Sequence, residues 1–220
     1  MKSNWKKQTL IIGGLIILIL LIDQWLKYYI KTTFQLGEIR PLLGNWLVLE
    51  YVENQGMAFG TTFGGKMWHK LALSIFRICA VIGMIYYFIK SANKGTHFGF
   101  LLALGAVIAG ALGNLLDSMY MDFAFPYDAC HPFNISKGSG IWVDCEFWGK
   151  METKPKGFLL GNVVDMFKFD AFWPNSFPLV GGSPVFPAIW NVADFFISAG
   201  LIAMIIWNKK FFPKEIKTEK

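Results

Sequence analysis

A chain of 220 residues that is 54% hydrophobic and only 16% charged is not an average soluble domain, because soluble chains run nearer a quarter charged. Nine tryptophans and 21 phenylalanines point to contact with lipid, while nine prolines and 22 glycines exclude a chain made only of bilayer helix. The net charge of +6 is read for where it sits rather than as a nucleic-acid footprint, since lysine and arginine placement sets membrane orientation. The predicted class is a single integral membrane domain over residues 1–220 with structured extramembrane parts and no nucleic-acid partner.

A transmembrane helix needs about 20 mostly apolar residues. Four stretches qualify, roughly 9–30, 69–90, 97–118 and 188–207. The first follows Lys2, Lys6 and Lys7 but runs on through Asp23, Gln24 and Lys27 with no small-residue cleavage site, so it reads as a retained anchor and not a removed leader. Between the first and second spans, residues 46–53 are aliphatic and β-branched and lie between Gly44-Asn45 and Asn54-Gln55-Gly56, the pattern of a strand leading into a turn. Residues 119–187 hold seven of the nine prolines and many aromatics, which suggests an irregular but packed loop lying on the membrane. Ten lysines fall in the 28 positions of 1–8, 90–96 and 208–220, against eight lysines and arginines in the 107 positions of 31–68 and 119–187. The positive-inside rule therefore places both termini in the cytoplasm and the two long connections outside.

Cysteine is scarce. Cys79 lies within the second span and is expected to be a small core residue, whereas Cys130 and Cys145 share one outer loop and are the candidate pair for a disulfide in an oxidising compartment. Neither the cysteines nor His69, His97 and His131 show metal-ligand spacing, so neither a metal nor any other cofactor is expected.

Ionisable groups inside spans are costly and are functional candidates by default. Asp23, Lys27, Arg77, Asp117 and Asp194 are of this kind, and Asp23, Asp117 and Asp194 all lie toward the outer ends of their predicted spans. Asp165, set among Val163, Val164, Met166 and Phe167 in the outer loop, is expected to dip toward the same leaflet. The pattern Asn-x-x-Asp with apolar residues between occurs three times, as Asn114-Leu-Leu-Asp117, Asn162-Val-Val-Asp165 and Asn191-Val-Ala-Asp194. On a helix, positions i and i+3 share a face, so in the third and fourth spans each amide is expected beside its carboxylate. Gly113 and Gly161 precede two of these pairs and admit close backbone approach. Converging carboxylates without Ser-His, Cys-His or metal ligands suit aspartic-protease chemistry, in which two carboxyls share a proton and activate a water. They equally suit a structural ion pair, or a small transporter or proton relay. A conducting path would continue toward the cytoplasm, yet the inner stretches 11–20, 82–87 and 199–206 carry no Asp, Glu, His, Lys or Arg.

These pieces, in this order, resemble bacterial lipoprotein signal peptidase, also called signal peptidase II. Asp23-Gln24 with Lys27, then Asn54-Gln-Gly56-Met-Ala58-Phe59-Gly60, Gly110-Ala-Leu-Gly113-Asn114-Leu-Leu-Asp117, Gly161-Asn162-Val-Val-Asp165 and Asn191-Val-Ala-Asp194 carry the resemblance over nearly the full chain. It implies a bundle of four transmembrane helices with a small periplasmic β-sheet cradle, a short interfacial helix and an extended periplasmic loop. It also implies a multi-pass protein of the bacterial inner membrane, an aspartyl endopeptidase with its site toward the periplasm. Such an enzyme cuts the signal peptide from a diacylglyceryl-modified prolipoprotein just before the lipidated cysteine. Its partners would be that prolipoprotein and membrane lipid, and a monomer suffices. By motif position Asp165 and Asp194 would be the catalytic pair, with Asp23, Lys27, Asn54, Gly56, Asn114, Asp117, Asn162 and Asn191 binding substrate or supporting the dyad. Two features depart from the family pattern. Ser118 stands where an arginine usually follows the third-span Asp, which makes Arg77 a candidate for the missing cation, and the connection from Asp117 to Asp165 is unusually long.

Overall fold

The computed structural model describes residues 5–55 and 66–212. In chain order these form α1 (Trp5–Thr33), β1 (Ile39–Leu43), β2 (Leu47–Asn54), α2 (Met67–Asn93), α3 (Phe98–Ala124), a single 3-10 turn at Pro132–Asn134, β3 (Trp142–Cys145), β4 (Gly149–Glu152), β5 (Val163–Phe169), β6 (Ile189–Trp190), α4 (Val192–Ile206) and α5 (Asn208–Phe211). The motif residues Gly56, Ala58, Phe59 and Gly60 lie outside the described residues.

Helices α1, α2 and α3 are long and apolar enough to cross a membrane. At about 1.5 Å per residue, even the 27-residue helices reach roughly 40 Å, beyond the ~30 Å hydrocarbon core. Their outward faces carry Leu10, Ile17, Phe76, Ile82 and Tyr86 exposed, and an apolar face left exposed on a long helix is what lipid requires. Helix α3 is the most enclosed: 67% of its apolar window is buried inside the protein, against 17% for α1 and α2. The expected fourth span, 188–207, is shorter. Ile189 and Trp190 are drawn into strand pairing, so α4 has only 15 residues, and the helix breaks at Trp207 before α5.

The chain divides into two compact units. The first comprises residues 1–23, 78–113 and 192–220, and among the described residues its regular elements are all helices. Its core joins Ile12, Phe88, Ala92, Phe100, Leu101, Leu104, Ile108 and Phe211. The second comprises residues 24–77 and 114–191 and carries a four-stranded sheet in the order β1-β2-β5-β6 and the separate hairpin β3-β4. All pairings in both sheets are antiparallel. The strand expected over 46–53 is β2. The region expected as irregular loop is more regular than its proline content suggests: α3 continues to Ala124, and residues 163–169 form β5, paired with β2 on one side and β6 on the other. Val164 and Met166 are fully buried in a core with Ile30, Phe34, Tyr51 and Met121, which is why this stretch is held as a strand despite its aspartate. Cys130 and Cys145 are joined by a disulfide, with Cα atoms 5.6 Å apart, whereas Cys79 is exposed on α2 and not in the core as expected.

Candidate active site

Asp165 sits on the inner strand β5, not in a loop. Successive strand side chains face opposite ways, so with Val164 and Met166 committed to the core, Asp165 turns to the other face. There it is 2% exposed, and both of its carboxylate oxygens are occupied. Asn54, the last residue of the neighbouring β2, donates its amide to Oδ2. Asn191, just beyond β6, donates to Oδ1 at 2.6 Å. Two amide donors from two different strand ends fix the orientation of the carboxyl group.

The Asn191 amide also lies 3.2 Å from the Val164 carbonyl and 3.2 Å from Asn114 Oδ1, and this couples the Asp165 pocket to α3. Asn114 Oδ1 accepts a second bond, from Lys27 Nζ of α1 at 3.1 Å. Lys27 in turn makes an ion pair with Asp117 at 2.7 Å, with both side chains fully buried. Asp117 also accepts from Gln24 Nε2 at 3.0 Å and from the Val164 backbone N–H at 3.3 Å. Gln24 is fixed by the Tyr120 hydroxyl, which donates to its Oε1. Asn114 and Asp117 therefore share a helix face as expected, but their contacts run to α1 and to β5. The cation at Asp117 is Lys27, while Arg77 donates to the Ser118 hydroxyl at 3.3 Å.

The Asn191-x-x-Asp194 pair differs from the helical expectation. Asn191 precedes α4, and only Asp194 is helical, in the first turn, where the N-terminal dipole favours a carboxylate. Asp194 is half-buried. It belongs to the helical unit and Asp165 to the sheet-bearing unit. Asp23, also in the helical unit, accepts the Ala193 backbone N–H at 2.9 Å, which satisfies one of the donors that a helix start leaves without an intrahelical partner. Gly113 makes room for this: a Cβ there would stand 2.7 Å from Asp23 Oδ2.

Asn162 stands at the entrance to β5 and, unlike Asn114, is not helical. It accepts from Lys70 Nζ and donates to Glu53 Oε2 at 3.0 Å and Asn134 Oδ1 at 2.9 Å. Glu53 also accepts from Lys31 and from the Tyr51 hydroxyl. Burial pushes the Glu53 carboxyl up, but Lys31, Tyr51 and Asn162 outweigh it and hold the group below the usual carboxylate range. Lys70, Glu53 and Asn134 were not singled out from the sequence. Lys70 had the same signal as Lys27, an ammonium inside a predicted span, whereas Glu53 is a strand residue of β2 and Asn134 lies in a 3-10 turn, where nothing local marks them. Among the described residues no cluster of three or more His, Cys, Asp or Glu is arranged to hold a metal ion.

Residues 15–210 match the family described as signal peptidase (SPase) II, a stretch that holds every motif residue named above. The chain belongs to the signal peptidase II family. It is similar to the lipoprotein signal peptidase of Porphyromonas gingivalis, with 34% identity over 205 residues that cover 90% of this chain and 83% of the relative. It is also similar to that of Amoebophilus asiaticus, at 31% identity over 95% of this chain and 79% of the relative. Its fold is similar to that of a bacterial membrane enzyme solved by the in meso method at 2.3 Å resolution, with a TM-score of 0.57 at 23% identity, covering 96% of this chain and 94% of the other. A second such structure, at 1.9 Å, gives a TM-score of 0.53 at 22% identity over 93% and 94% of the two chains. As a signal peptidase II family member the chain is a membrane aspartyl protease, and the transporter reading has no support. The small antiparallel sheet and the three long apolar helices are the elements that carry its polar cluster.

Proposed function

We propose that Asp165 and Asp194 form the catalytic dyad of an aspartic endopeptidase. Its reaction would remove the signal peptide from diacylglyceryl-modified prolipoproteins by cleavage just before the lipidated cysteine. The observation that carries this reading is the clamp on Asp165: a buried carboxylate on the inner strand of the sheet, with both oxygens held by amides from residues that lie in two of the family's motifs. Asp117, by contrast, is satisfied by the Lys27 ammonium.

In the reaction one carboxylate of the pair takes a proton from water, and the resulting hydroxide attacks the scissile carbonyl carbon. The other carboxyl, carrying a proton, first hydrogen-bonds the carbonyl oxygen as charge develops there. Collapse of the tetrahedral intermediate breaks the C–N bond, and the amine of the lipidated cysteine leaves with a proton from the dyad. The pair titrates as a unit, so neither residue keeps one role through the cycle. Asn54 and Asn191 orient Asp165, and Asn114 and Asn162 support the strand ends that carry them. Asp23 positions the start of α4 and hence Asp194, Lys27 and Asp117 hold α1 against α3, and Gly56 is assigned to the substrate side by its motif alone.

The lysine and arginine distribution supports a multi-pass protein of the bacterial inner membrane with both termini cytoplasmic and the site toward the periplasmic leaflet, where a diacylglyceryl anchor would hold the scissile bond. In this reading α4 with α5 serves as the fourth span, the sheet is the periplasmic cradle, and the 220 residues work as one membrane domain, sufficient as a monomer. The test is cleavage of a lipid-modified prolipoprotein by purified protein in lipid. Asp165→Asn and Asp194→Asn are each expected to lower kcat by at least a factor of about 10² to 10⁴ with unchanged thermal unfolding. Activity surviving in both variants would overturn the dyad.

A further inference from the structure

The segment between β5 and α4 is unlike the rest of the extramembrane chain. From Ala171 to Ala193 there is no charged residue, and the loop within it is ordered by its own backbone. Trp173 N–H donates to the Ser183 carbonyl, Gly182 N–H to Trp173, Phe177 N–H to Pro174, Gly181 N–H to Phe177, and Val185 N–H to Ala171, each at 2.8–3.0 Å. A bridge between Phe172 and Pro184 closes the base. Most of the side chains that point outward are apolar, Asn175 and Ser176 being exposed polar ones beside the tip. Phe172, Phe177 and Val180 are exposed, and Leu179 at the tip is exposed to 106% of its reference area. Leu179 is also held at φ +71, a left-handed conformation that is unfavourable for a residue with a branched side chain. The fold thus maintains a backbone conformation that glycine would adopt more readily, and uses it to present a leucine outward. At the loop's base the apolar surface continues into aromatics: Phe186 meets Phe169 edge-on, and Phe169 stacks on the half-exposed Trp46 of the β1-β2 turn.

We infer that the tip of this loop, Phe177 to Val180, inserts into the outer leaflet of the bilayer as a second membrane anchor for the sheet-bearing unit. Three features select lipid as the occupant. The absence of charge over 23 residues matches a hydrocarbon surface and offers a folded protein partner no salt bridge to set register. The exposed apolar side chains of Phe177, Leu179 and Val180 suit the boundary between headgroups and acyl chains, where the apolar faces of peripheral segments are buried. The loop also runs through β6 directly into the apolar helix α4, so the chain is already at the membrane boundary, where tryptophan and other aromatics of the kind found at its base are enriched.

The inference rests on the membrane placement proposed above, so its test is independent of proteolysis. Leu179→Cys and Phe177→Cys are made in a Cys79→Ala background with the Cys130–Cys145 disulfide intact, spin-labelled, and reconstituted without substrate in nanodiscs of phosphatidylethanolamine and phosphatidylglycerol. Power-saturation measurements are expected to show collisions with oxygen exceeding those with a water-soluble nickel chelate at both positions. A label reached mainly by the nickel chelate would place the tip in water and overturn the inference. A label reached by neither would show packing against protein, a second copy included, and would also overturn it. Failure of the unlabelled wild-type protein to cleave a lipid-modified prolipoprotein, alongside a lipid-embedded label, would count against the proposed chemistry and leave the anchor standing.

Discussion

Lys27 and Asp117 show how a single pair can tie a membrane site together. Both side chains are fully buried, and each has further partners, Asn114 for the lysine and Gln24 and the Val164 N–H for the aspartate. Removing one member of such a pair leaves an uncompensated buried charge and costs roughly 3–5 kcal/mol, while replacing both by apolar groups often costs little. Asp117→Asn and Lys27→Met are therefore each expected to lower the thermal unfolding temperature in detergent, with Lys27→Met/Asp117→Leu falling well short of the sum of the single effects. An inactive Asp117→Asn protein that melts like wild type would instead move Asp117 into the catalytic set. The pair was half legible in the sequence. Two ionisable residues inside predicted spans demand partners, but spans one and three are joined by more than 60 residues, and no local rule says that these two meet.

At the scale of elements, the decisive contact is between the end of α3 and the chain entering β5. Gly161 N–H donates to the Ser118 carbonyl at 3.0 Å, and a Cβ on Gly161 would lie 2.3 Å from the Asp117 carbonyl oxygen. Real side chains do not approach a backbone oxygen so closely, so Gly161→Ala must push β5 away from α3. That move would strain the bond from the Val164 N–H to Asp117 and shift Asp165 from its amides. The cost expected from such overpacking is about 1–3 kcal/mol, with a loss of kcat larger than this stability change alone would produce. Gly157→Ala, whose added methyl meets only the flexible Leu160 side chain at 3.2 Å, is the control and is expected to be close to wild type in both unfolding and cleavage assays. The close approach at Gly161 was anticipated from its place before Asn162. That β5 was a strand was not, because Asp165 and Lys168 interrupt the apolar pattern and only pairing with β2 and β6 compensates for their backbone.

For the whole molecule, the disulfide between Cys130 and Cys145 closes a loop in the long segment that also brings Asn134 to Asn162. In the chain-entropy description a ring of this size contributes about 3 kcal/mol. Reduction, or Cys130→Ser/Cys145→Ser, is expected to lower the unfolding temperature while helical circular dichroism is retained, since α1 to α4 lie outside the ring; an unchanged melting profile would show that the bond adds nothing. By itself the sequence determined the membrane class, spans that include the three long helices, and a strand expected at 46–53, and it singled out Asp23, Lys27, Asn54, Asn114, Asp117, Asp165 and Asn191 but not Lys70, Glu53 or Asn134. Those follow from composition, from runs of apolar residues and from motif order, all of which are local along the chain. Only the tertiary structure decided that Asp165 is on a buried inner strand held by Asn54 and Asn191, that Lys27 rather than Arg77 forms the buried ion pair with Asp117, and that Lys70, Glu53 and Asn134 form a network around Asn162. Those bonds join residues from 26 to 111 positions apart. Their geometry comes from how strands and helices pack, and a sequence pattern read within one element cannot express it.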